Sequence, residues 1–176
     1  MTKSKFNTKQ LVLAALCVAL GVVLPVAFHS IPNAGSVLLP MHIPVLLCGL
    51  VCGPVYGLLS GILTPLLSSM ITGMPPMAYL PGMLCELAAY GLVSGLVWRR
   101  VKHTLPMMYA ALVTAMVAGR LVWGAVRFVL AGLTGSSFPF SAFLSGALLT
   151  AVPGILAQLV LIPLILTALE KAGFMD

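Results

Sequence analysis

The chain has almost no acidic residues. Among 176 residues there are three, Glu86, Glu170 and Asp176, and all charged types together make up 7%. A chain that is 61% hydrophobic, with a mean hydropathy of +1.16, lacks the polar surface that a water-soluble domain needs. Catalytic patterns are missing too. There is no Ser/His/Asp set around a nucleophile elbow, no His-Glu-x-x-His, no acidic cluster for a divalent metal, no phosphate-cradling glycine loop and no ATPase segment. The reading is therefore a non-enzyme without a cofactor of its own. Cys17, Cys48, Cys52 and Cys85 fall in apolar stretches without metal or redox spacing and read as small buried apolar residues.

What is present is long apolar sequence. At about 20 residues per helical crossing, the length accommodates six transmembrane helices in one domain, 1–176. The expected spans are 10–28, 36–52, 54–71, 78–98, 105–131 and 140–169, an all-α integral membrane protein. The basic segment before the first span resembles a secretory signal, but Ser30 to Pro40 offers no convincing small-x-small cleavage site and the apolar run is long for a signal's core, so the span reads as retained. Spans two and three meet at Gly53-Pro54, where proline suits a first helical turn. Gly49, Gly53, Gly57 and Gly61 recur every four residues across that turn and promise a close-packing face on each half. Pro153 and Pro163 should kink span six.

The net charge of +6 is placed for topology, with no sign of nucleic-acid binding. Lys3, Lys5, Lys9, Arg99, Arg100, Lys102 and Lys171 lie at the termini or in one inter-span loop. Under the positive-inside rule both termini are then cytoplasmic in a multi-pass membrane protein.

Three ionisable residues fall within spans: Glu86, Arg120 and Arg127. Each costs on the order of 2.5–3.5 kcal/mol at a helix centre, so it persists where it pairs or binds something. At 1.5 Å per residue, Glu86 lies about 12 Å, Arg127 about 6 Å and Arg120 about 16 Å from the outer face. Tyr79, Met83, Glu86 and Tyr90 share one stripe of span four, and Arg120, Trp123 and Arg127 nearly one face of span five. Facing stripes of charge and aromatics suggest a pocket for a flat ring with polar edges. A structural Glu86–Arg120 ion pair is the competing account. His42 at the start of span two, His29 and Gln158 are further candidate contacts.

The chain resembles the substrate-binding S component of an energy-coupling factor (ECF) vitamin importer over essentially its whole length. The resemblance rests on six spans in about 180 residues, on Ala15-x-x-x-Ala19, and on the phrases LPMHIPVLLCGLVCGP, ITGMPP and ELAAYGLVSG. It implies a bundle that binds a vitamin-like solute from outside. It further implies docking through Ala15 and Ala19 onto a transmembrane coupling subunit with two ATPase subunits, which use the ATP. Loops around Asn33, Met74 and Ser136 would cap the site. The segments associated with riboflavin- and biotin-specific members are absent. A queuine-like deazapurine, pantothenate or a folate-like molecule fits the available chemistry, the first through a carboxylate accepting two parallel N–H bonds, the second through an arginine fork. A proton-coupled secondary transporter using Glu86 and a non-transporting membrane scaffold are the readings from other classes.

Overall fold

The computed structural model describes residues 8–27, 37–136, 139–146 and 150–173, and those residues form helices without a strand. The helices are α1 (Thr8–Ala27), α2 (His42–Cys52), α3 (Pro54–Thr72), α4 (Leu80–Trp98), α5 (Leu105–Leu133), α6 (Phe140–Leu144) and α7 (Val152–Lys171). Five are long and apolar enough to cross a membrane; α2, with 11 residues, is shorter. The protein is an all-α membrane bundle.

The helices alternate in direction between two ends. One end gathers the start of α1, the α2–α3 turn, the Arg99–Thr104 connection and the end of α7. It is called the basic end here. The α2–α3 turn is tied to it directly: Gly53 has φ +94°, and a Cβ there would strike the Arg99 guanidinium. Nearby the indole of Trp98 stacks on His103 with centroids 4.5 Å apart. At the opposite, far end, the α3–α4 connection is sewn onto α3: Ser68 Oγ donates to the Met74 carbonyl at 2.8 Å and Ser69 Oγ to that of Pro75 at 2.9 Å. That loop is a fixed wall of the bundle.

Small residues set how the helices pack. Gly49 and Gly57, on opposite arms of the hairpin, both face Gly91 of α4, and Gly61 faces the Leu87 carbonyl. Sequence spacing suggests two separate faces. The tight turn brings both onto the same helix, so α4 runs in a groove floored by glycine. With no side chain between them, backbones come close enough for dispersion contacts that lipid cannot offer. The main core is built by α2, α4, α5 and α7 around Leu46, Leu87, Leu112, Ala115 and Ile162, all fully buried. Helix α1 stands apart from that core. Only Ala14 and Gly21 of its 20 residues are buried, Gly21 abutting Thr64 of α3. Ala15 and Ala19 are exposed on its outer side.

Two span boundaries differ from the sequence reading. Span two is broken at Leu39, whose φ is +51°; Pro40 disfavours helix at the preceding residue and has no N–H to offer. Expected span six is two helices. Pro153 opens α7 in its first turn, where a missing N–H costs nothing, and does not kink a longer helix. Pro163 does lie inside α7.

Candidate functional site

Four helices bring polar side chains into the apolar core near the far end. Helix α4 supplies Glu86 and Tyr90, one turn apart and 2% and 1% exposed. From α5, Arg120 reaches across and sets Nη1 2.9 Å from Glu86 Oε1. At the start of α2, His42 places Nε2 3.5 Å from the same oxygen and its ring edge-on to Tyr90, with centroids 5.1 Å apart. The Tyr90 side chain lies close to the Glu86 carboxylate. Gly119 allows this closeness, since a side chain there would press on the Tyr90 ring at 3.0 Å.

The turn before α2 aims His42. Leu39 sits in the left-handed region, which a leucine occupies at a cost of roughly 1–3 kcal/mol. Its carbonyl accepts the His42 amide at 3.0 Å. That strained turn starts α2 with a histidine that is 1% exposed and points inward.

Gln158 of α7 is also 1% exposed. It shares a helix face with Gly154, which abuts Val37 and Leu38, and with Ile162, which packs in the core with Met41 and Val45. Gln158 is thereby on the face of α7 that meets the start of α2.

The bonding of these groups is incomplete. Both ring nitrogens of His42, Glu86 Oε1, Nε and Nη2 of Arg120, and both amide atoms of Gln158 are buried without a hydrogen-bond partner among the described residues. Arg120 and Glu86 are close enough for strong attraction, yet no N–H is aimed at Oε1. Leaving one such group unmet costs about 1–3 kcal/mol. Four of them together rival the whole net stability of a typical domain, about 5–15 kcal/mol. Packing alone does not explain that; a bundle of this composition fills its core with Leu and Val more cheaply. The arrangement offers an acceptor beside a donor fork, with a histidine and an amide that each serve as either. It complements a ring with both donors and acceptors on its edge.

Arg127, Trp123 and Tyr79 form a second tier, farther out. Arg127 lies seven residues beyond Arg120, about 10 Å along α5. Its Nη1 donates to the Ala78 carbonyl at 3.3 Å, and its guanidinium stands over the Tyr79 ring at 5.0 Å. Trp123 rests near Gly82 on one side and stacks with Phe143 of α6 at 6.1 Å on the other. Tyr79 is 53% exposed, so the Tyr79–Tyr90 stripe divides between a mouth and an interior. Asn33 and His29 lie outside the described residues. Met74 belongs to the sewn α3–α4 loop, and Ser136 hydrogen-bonds Thr134 at 2.9 Å at the exposed end of α5.

Tyr90, expected on the Glu86 stripe, belongs to the inner tier, and Phe143 joins the outer one. Tyr90 is signalled by its spacing of four from Glu86. Phe143 has no such mark.

A carboxylate–guanidinium pair with open bonding capacity, inside an all-α membrane bundle, suits a membrane subunit that captures a solute. The family comparison decides it. A family model for the substrate-specific component of ECF transporters matches residues 9–174. The chain belongs to that family. Comparison with curated proteins and with solved structures returns no match. As an ECF substrate-specific component, the protein is a multi-pass membrane subunit of a transporter. Its recognition chemistry is therefore to be sought in the bundle, and the inner tier is the candidate.

Proposed function

We propose that this S component captures a vitamin-related heterocycle from outside a prokaryotic cell at the His42–Glu86–Arg120–Gln158 tier and delivers it through a shared ATP-driven module. The observation that carries the reading is the unmet bonding capacity of buried polar atoms on those four side chains. Glu86 accepts two parallel N–H bonds from an amino-pyrimidinone edge, and Arg120 donates to the ring carbonyl beside them. Both contacts are charge-assisted and operate away from water, where such bonds are strongest. A deazaguanine of the queuine kind presents that edge. So does the pterin of a folate, whose carboxylates would then reach the Arg127 tier. Pantothenate lacks the edge and is the weakest of the three.

The basic end is placed in the cytoplasm by the positive-inside rule, which puts the Arg127–Tyr79 tier at the outer mouth. Docking onto the coupling subunit and its two ATPases is assigned to the exposed Ala15–Ala19 face of α1, where small side chains admit a partner helix closely. Family membership speaks against the scaffold and the proton-coupled carrier, neither of which needs that face.

The test is to extract the purified protein with denaturing solvent and identify the released small molecule by mass spectrometry, then to measure thermal stabilisation by guanine, 7-deazaguanine, pterin and pantothenate. Stabilisation by ring compounds carrying the amino-pyrimidinone edge, and not by pantothenate, is expected. Stabilisation by pantothenate alone overturns the assignment of the edge.

A further inference from the structure

Three of the four cysteines meet in space, Cys17 joining a pair from which it is distant in sequence. Cys17 of α1 packs against Cys48 and Cys52 of α2 in a small cluster with Ala14 and Tyr56, separate from the main core. The Cys48 thiol is the hub: it is fully buried, shares the cluster with Cys52 on its own helix, and has Cys17 of α1 packed against it. All three cysteines are unoxidised, Cys48 and Cys52 buried and Cys17 half-buried; Cys85 is exposed on α4.

We propose that Cys17 and Cys48 form an oxidisable pair, a site at which a thiol oxidant staples α1 to the α2–α3 hairpin. The choice of partners follows from geometry. Cys48 and Cys52 are four apart on one helix, where Cβ atoms stand about 5–6 Å apart, wider than the roughly 3.5–4.5 Å that a disulfide requires. Cys17 approaches Cys48 from a different helix, across the packed α1–α2 contact, so no fixed helical spacing holds the two sulfurs apart. Helix α1 also contributes no residue to the main core and buries two of its 20 residues, so drawing the sulfurs to bonding distance displaces none of the main core's side chains.

The chemistry balances with a disulfide oxidant. One cysteine sulfur attacks the oxidant's S–S bond, displacing one thiol and forming a mixed disulfide. The second cysteine sulfur displaces the other thiol. The two cysteines lose two protons and two electrons between them, and the oxidant is reduced to two thiols. The consequence is a bundle in which α1, with its exposed Ala15 and Ala19, is covalently fixed in one orientation. The inference stands on the packing of α1 and is independent of what the Glu86 tier binds.

The experiment uses the Cys85→Ser protein in membranes, which removes the exposed thiol and leaves the cluster intact. It is treated with the membrane-permeant aromatic disulfide 2,2′-dithiodipyridine, quenched with an alkylating agent under denaturing conditions, digested and mapped by mass spectrometry. The expected product is a Cys17–Cys48 linked peptide lighter than the two thiol peptides by two hydrogen atoms, with Cys52 recovered alkylated and the link lost on reduction. A Cys48–Cys52 link, pyridyl adducts that never resolve into a crosslink, or recovery of all three thiols alkylated each overturns the proposal.

Discussion

Glu86 and Arg120 approach to 2.9 Å without an aligned hydrogen bond between them. The pair therefore neutralises two charges that the bilayer would otherwise penalise, and still leaves a carboxylate oxygen and two guanidinium nitrogens with capacity to bond. A purely structural salt bridge in a core gains most when its lone pairs and protons are all used. This one is satisfied in charge and open in hydrogen bonding, the condition a binding site needs before its ligand arrives.

Glu86→Gln is expected to weaken ligand binding by more than tenfold, about 1.4 kcal/mol. It also strands Arg120 as a buried charge, at a cost of roughly 3–5 kcal/mol in stability. The two effects separate in the double variant Glu86→Gln/Arg120→Met, which removes the stranded charge: stability should recover in part and binding should not. Calorimetric titration with the co-purifying molecule and thermal unfolding of each variant are the measurements. Recovery of binding in the double variant would assign Glu86 to the scaffold alone.

The two arms of the α2–α3 hairpin converge on Gly91, and Gly57 and Gly91 face each other through bare backbone. A methyl at either position meets the other residue's carbonyl, which cannot rotate away. Gly57→Ala or Gly91→Ala should cost about 1–3 kcal/mol through overpacking. Gly132→Ala, where an added Cβ meets nothing within 4 Å, should be neutral or stabilise by up to about 1 kcal/mol. Thermal unfolding in one detergent decides it; equal effects at the two kinds of position would contradict the packing described.

These glycines show what the sequence could convey. A spacing of four marks a close-packing face, and that was legible. Which helix the face meets depends on how the Gly53–Pro54 turn folds the arms together, a tertiary fact without a local signal. The same limit applies at the site. Glu86, Arg120 and Arg127 stand out because charge is rare in apolar sequence, and His42 and Gln158 because polarity is. Helical spacing put Arg120 and Arg127 on one face, but not at separate depths with different neighbours. Leu39 hid a helix break inside an apolar run, where only Pro40 hinted at it. The thiol cluster joins α1 to α2 over 31 residues of chain (48 − 17), and no spacing rule reaches that far.

Neighbouring alanines on α1 should behave in opposite ways. Ala14 is 8% exposed and packs beside Cys48 and Tyr56, so Ala14→Leu overfills that contact and destabilises by about 1–3 kcal/mol. Ala15 is exposed. Ala15→Leu should leave thermal stability and solute binding unchanged while abolishing uptake in cells that supply the coupling module, because the added bulk blocks helix approach. Uptake of radiolabelled solute and pull-down of the coupling subunit read the second effect. Loss of solute binding along with uptake would remove Ala15 from the docking face.

Gln158 gives the sharpest separation between a site and a scaffold. Its amide carries two donors and an acceptor, is buried, and has no hydrogen-bond partner among the described residues. Replacing an unmet polar group by an apolar one of like shape removes a desolvation penalty of about 1–3 kcal/mol. Gln158→Met should therefore leave the ligand-free protein at least as stable as the parent, while the affinity for the co-purifying molecule falls tenfold or more. A side chain that gives up stability to keep a buried amide ready is behaving as part of a site. Thermal unfolding of the stripped protein and titration of the same preparation test both halves. Lower stability with unchanged affinity would make Gln158 an interhelical anchor, and the inner tier would then be confined to α2, α4 and α5.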